Sequence, residues 1–100
     1  MTEPAELWRL HQSAQFPPSC LPLSVDGVRL VKIDAVAGAI LTASLRTDGV
    51  PRPLEDARRR DLDHYRALAS KALDLPLDDE GRAYFERLVS LSDHVLKGSR

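Results

Sequence analysis

Four side chains of this sequence could hold a metal or move a proton if the fold brought them together: Asp61, His64, Asp93 and His94. They lie in two amphipathic stretches, 54–73 and 79–98, separated by Leu75-Pro76-Leu77-Asp78-Asp79. An antiparallel fold-back about position 77 sets Asp61 level with Asp93 and His64 level with Ser90, so that all four share one height. Aspartate and histidine together suit zinc or a harder transition metal. An Asp-His pair can also act as a general base. The obstacle is orientation, because His64 and His94 sit at the margins of their apolar stripes. Only one handedness of the hairpin turns them toward each other. The four are therefore outside candidates for a metal or small-molecule site, and no catalytic, cofactor-binding or metal residue is assigned.

Asp61 is the most informative of them. Its angular position falls between Leu68 and Tyr65, inside the apolar arc of its helix. A carboxylate there must be paired, exposed at an edge, or part of a site. Arg58, three residues earlier, is its nearest prospective partner, and a structural pair is the expectation. The remaining chemistry-bearing residues are weaker. Cys20 is the single cysteine and has no histidine near it in sequence, so a buried structural thiol is expected rather than a nucleophile. Gly27, Gly38 and Gly49 are too widely spaced to cradle a phosphate and read as turn residues. Arg58-Arg59-Arg60 spans nearly a full helical turn and points three ways, among Glu55, Asp56, Asp61 and Asp63. That describes a solvated face. Nucleic-acid binding would need Arg52, Arg58, Arg59 and Arg66 on one acid-free surface.

The elements that must position these residues can be read from periodicity. Thr2-Glu3-Pro4-Ala5-Glu6 can open a short helix, with a cap, a first-turn proline and acids at the positive end of the dipole. Leu7, Leu10 and Ala14 then share a face, with Trp8 and His11 beside it. Phe16-Pro17-Pro18 stops that segment.

From Cys20 to Arg46 the apolar residues alternate, and Asp26-Gly27 marks a type I′ hairpin that sets Val25 opposite Val28 and Leu23 opposite Leu30. A second reversal near Ala37-Gly38 would give a three-stranded antiparallel meander. The competing reading turns Ala35–Leu45, rich in alanine, into a helix. Thr47-Asp48-Gly49-Val50-Pro51-Arg52-Pro53 is a turn and connector.

Leu54 to Leu73 reads as the first long helix, with Leu54, Ala57, Leu62, Tyr65, Leu68, Ala69, Ala72 and Leu73 on one arc. The second is capped by Asp78 or Asp79 and ended by Gly98. Its stripe of Tyr84, Leu88, Leu91 and Val95 is widened by Phe85, Val89, Ser92 and Leu96. Such width serves the first helix, a sheet and a partner. The whole reads as a small α+β domain over 1–100: an N-terminal segment at 1–19, a sheet at 20–46, and a helical hairpin at 54–98 covering one sheet face. Leu23, Leu30, Ile33, Leu41, Leu62, Leu68, Leu88 and Leu91 are its expected core.

Composition bounds the function. The 100 residues are 43% apolar and 29% charged with a net charge of -1, an ordinary globular balance with no field to draw nucleic acid or an anionic membrane. No apolar run approaches the ~20 residues that cross a bilayer. The sequence opens Met-Thr-Glu-Pro-Ala-Glu, without the features of a signal peptide, so the cytoplasm is the expected location. The function expected is a non-catalytic protein-interaction or accessory domain without a cofactor, acting as a homodimer or with another protein. Its interaction candidates are Trp8, Phe85, Val89 and Leu96, since aromatic anchors favour interfaces. The alternative is a small-molecule or metal-binding protein, or a small enzyme, built near Asp61, His64, Asp93 and His94.

Overall fold

A computed structural model of the chain describes residues 3–45 and 49–98. Helix α1 spans Pro4–Ser13 and is followed by a 3-10 turn at Pro18–Cys20. The strands are β1, Ser24–Val25, and β2, Val28–Arg29, after which come helices α2 (Leu30–Ser44), α3 (Asp56–Ala72) and α4 (Asp79–Gly98). The fold is α+β, a two-stranded antiparallel sheet packed against several helices.

The hairpin forms as its turn residues dictate. Asp26 and Gly27 both adopt positive φ, 52° and 79°, which is the demand of a type I′ turn. Val25 pairs with Val28 and Ser24 with Arg29, while the Leu30 amide donates to the Leu23 carbonyl at 3.0 Å. Lys71 on α3 reaches Asp26 at 2.7 Å and ties the turn down.

Beyond Leu30 the three-stranded meander is not formed. The sheet stops at two strands, and Leu30–Ser44 is one continuous helix running through the expected reversal at Ala37-Gly38. Leu30, Ile33, Ala37, Ile40, Leu41 and Ser44 are its buried residues, a three-four spacing. The segment is apolar on nearly every side, so it satisfies a period of two as readily as one of 3.6. Packing against α3 and α4 settles the choice in favour of helix.

Helices α3 and α4 form the expected antiparallel hairpin. Arg66 meets Asp93 far from the connection, and Arg82 donates to the Leu73 carbonyl beside it. Asp78 caps α4 by accepting from the Gly81 amide at 2.8 Å, which holds its carboxyl below the usual range. The Cys20 thiol lies so close to that first turn that a Cβ on Gly81 would stand 2.9 Å from its sulfur. Burial pushes this thiol's pKa up, away from nucleophilic use.

Leu30, Ile33, Leu41, Leu62, Leu68, Leu88 and Leu91 are all buried, and Leu23 is packed at the edge of their cluster. Each such aliphatic side chain contributes about 1.5–3 kcal/mol by leaving water. Helix α1 turns a different face inward than the one expected: Trp8 and His11 are buried while Leu10 is 51% exposed. Its N-cap position is Glu3, and the expected cap Thr2 lies outside the described residues, as do Arg46, Thr47 and Asp48.

Candidate interaction surface

Helix α2 has two faces of different fate. The buried one supplies the core. On the other, the exposed positions are Lys32, Ala35, Ala39, Thr42 and Ala43, of which only Lys32 is charged. The Thr42 hydroxyl donates to the Gly38 carbonyl at 2.8 Å, so it is satisfied within its own helix and needs no solvent partner. A helix apolar all round is normally buried all round.

Between this face and α3 lies an open groove of about 530 Å³, lined by Ala35, Val36, Ala39, Ile40, Ala43, Arg58 and Asp61. The alanines hold its floor low, and Arg58 and Asp61 make its charged rim. Asp61 is thus exposed, and the expected Arg58–Asp61 pair is not formed; the ion pairs that do form include Arg66–Asp93 and Lys71–Asp26.

The other sequence candidates disperse. His64 is exposed and meets the Tyr65 ring edge-on, with centroids 5.2 Å apart. Asp93 is engaged by Arg66 through two bonds of 2.8 and 3.2 Å, and His94 Nε2 donates to the Gly49 carbonyl at 2.7 Å. Among the described residues no three His, Cys, Asp or Glu side chains are grouped to hold a metal. Of the interaction candidates, Trp8 and Phe85 are buried in the core and present no surface. Val89 and Leu96 are partly buried, and Leu96 borders a second, smaller groove of about 310 Å³ with Arg59, Arg60 and Asp63.

A buried polar cluster that the sequence did not single out joins α1, α2 and α4. Tyr84 donates its hydroxyl to Asp34 at 2.7 Å, and the His11 ring lies 4.6 Å from the Tyr84 ring. Trp8 stacks on His11 with centroids 6.3 Å apart, and the Arg87 guanidinium sits over Tyr84 at 5.7 Å. Burial and then the Arg87 charge lower the His11 pKa to about 4, so the ring is neutral near pH 7. Its Nε2 is 3.9 Å from Asp34, too far for a hydrogen bond, and its buried Nδ1 has no partner. Burial raises the Asp34 pKa and the Tyr84 bond draws it partly back, while burial, then the bond to Asp34, pushes the Tyr84 hydroxyl upward. Neither groove is lined by these residues. The cluster is a tie between helices. Its only forewarning in the sequence was the i, i+3 placement of Trp8 and His11; Asp34 and Tyr84 are 50 residues apart.

No family model, curated protein or solved structure matches the chain. Among the described residues no helix is long and apolar enough to cross a membrane.

Proposed function

We propose that this chain is a small protein-interaction domain, acting as a homodimer or with another protein, and that it meets its partner through the groove between α2 and α3. The observation that carries the reading is the outward face of α2, where five exposed positions include a single charge. Solvent-facing helix positions are ordinarily polar, and an apolar strip rimmed by charges is the usual anatomy of a contact surface. The wide stripe of α4 does not carry the reading, because its aromatic members are buried within the chain.

A photo-cross-linking side chain at position 39, on the groove floor, tests this in the cells that make the protein. The same group at Ser90, exposed on α4, is the control. Protein adducts are expected at 39 and not at 90. Equal yields at both positions, or none at either, would sink the reading.

A small-molecule ligand is the second reading, favoured by a groove volume within the range of such sites. Asp61 is the one residue of the earlier four that lines this groove. Ligand-dependent thermal shifts that vanish in Asp61→Ala are its expected signature.

A further inference from the structure

We propose that the partner in this groove is a second copy of the chain, with α2 packed antiparallel on its own counterpart and the charges of α3 paired reciprocally across a two-fold axis. The inference rests on the interaction reading and deepens it by naming the partner. Two observations carry it.

The first is the charge pattern of the rim. Arg58 and Asp61 stand one turn apart on α3, both exposed, both lining the groove, and neither ion-paired among the described residues. One cation and one anion at this spacing form a self-complementary pair. An axis lying across α2 and passing between the two sets the Arg58 of each copy against the Asp61 of the other. A two-fold interface requires this property of a patch: residue i meets j, and j meets i. An unrelated partner has no need of equal and opposite charges one turn apart.

The second is Gly38. It lies mid-way along α2, where glycine costs helix stability relative to alanine. Among the described residues nothing requires it: its φ is not positive, and a Cβ built there meets no atom beyond its own helical turn within 4 Å. A glycine facing open space in a helix interior is explained by a close approach from outside the chain. Gly38 itself does not line the groove; it borders the strip in which Ala35, Ala39 and Ala43 recur at intervals of one turn, and this low relief lets two helix backbones come near each other. The Thr42 hydroxyl, turned back on the Gly38 carbonyl, brings no unmet donor of its own to the contact.

The test is the solution mass of the purified full chain, by light scattering across a dilution series and by native mass spectrometry. The wild type is expected at twice the mass of one chain. Ala39→Glu places a charge on the contact and should weaken association by about a hundredfold or more, with helix content unchanged by circular dichroism. Gly38→Ala should weaken it by about tenfold while leaving the fold intact, since the added methyl meets no neighbouring element among the described residues. Arg58→Asp alone and Asp61→Arg alone each replace two attractive pairs by two repulsive ones and should run as single chains. Mixed together, they should form a heterodimer in which every charge is again opposed. The double variant Arg58→Asp/Asp61→Arg should restore the homodimer.

A single-chain mass for the wild type at every concentration overturns the proposal. So does a dimer that tolerates Ala39→Glu and both single charge reversals, since the contact is then on another face. The broader interaction reading fails on different evidence, the absence of a contrast between cross-linkers at positions 39 and 90.

Discussion

The seam where α1 and α2 meet α4 and the groove between α2 and α3 are built on the same helix α2, yet one is shut and the other open. At the seam, large rings fill the space: Trp8, His11, Phe16 and Tyr84 stack, tilt together or meet edge-on at centroid distances of 4.6–6.3 Å. A polar tie from Tyr84 to Asp34 then sets the registration of α4 against α2. At the groove, α2 offers alanines, and the neighbouring α3 offers Arg58 and Asp61 instead of rings. Side-chain volume, more than hydrophobicity, separates the two. Small apolar residues keep water at a disadvantage without filling the space themselves, so the groove keeps its capacity to bury area and the seam has used its own.

That contrast makes the seam costly to disturb and the groove cheap. The largest effect is expected from Phe85→Ala, which empties a fully buried position packed on Phe16 and Tyr84. It should lower the unfolding free energy by about 3–5 kcal/mol in urea denaturation. A loss near 1 kcal/mol would mean that the seam is loosely packed after all.

Acid should act next. Because the folded state lowers the His11 pKa from 6.5 to about 4, the unfolded chain binds the proton more readily between those values. The contribution of His11 is complete above pH 6.5 and is lost as pH falls through about 4, a loss of about 3 kcal/mol at most. Asp34 works against it: its raised folded pKa makes the folded state the stronger proton binder at the low end of the window and offsets part of the loss. Stability measured by denaturant at a series of pH values should therefore fall on acidification from pH 6.5. His11→Phe, which keeps a ring between Trp8 and Tyr84, should flatten that slope. A slope unchanged in His11→Phe assigns the titration to another group.

Tyr84→Phe deletes the hydroxyl that donates to Asp34 and leaves a half-buried carboxylate without that donor. About 2 kcal/mol should be lost, the scale of a hydrogen bond to a charged group. On the outward side of α2 the signs differ. Gly38→Ala, measured at a dilution where the chain is alone, should raise stability by about 1 kcal/mol, or the unfolding midpoint by roughly 4–8 °C. A fall instead would mean that the space above Gly38 is already occupied within the chain. Smallest of all, Ala39→Glu should change the stability of the single chain by no more than about 0.5 kcal/mol, as an exposed position away from packing does.

The parts of this molecule legible in its sequence are those whose signal is local. Asp26-Gly27 dictates its hairpin because both residues accept positive φ, and the register follows from the turn. Helices α3 and α4 announce themselves through long one-sided stripes, a capping Asp78 and the break at Leu75-Pro76-Leu77. Helix α2 did not, because 30–44 carries apolar residues on all sides and neither periodicity stands out. Gly38, read as a turn, is tolerated in a helix at a cost of only about 1 kcal/mol. The groove was hidden for the same reason, since it exists only once that segment is a helix. The interaction expected of Trp8 and Phe85 rested on their size, and the same size took them into the core.

Local chemistry alone therefore determined the α+β class, the hairpin, the helical pair and nearly all of the core. Tertiary packing decided the state of 30–44, which face of α1 turned inward, and how the charged groups were partnered. The physical reason is range: turn and cap energies act over two to four residues, whereas Tyr84 finds Asp34 and Arg66 finds Asp93 only after three helices have chosen their faces. Asp61, which could have been paired, was left by that packing at the rim of an open groove beside Arg58.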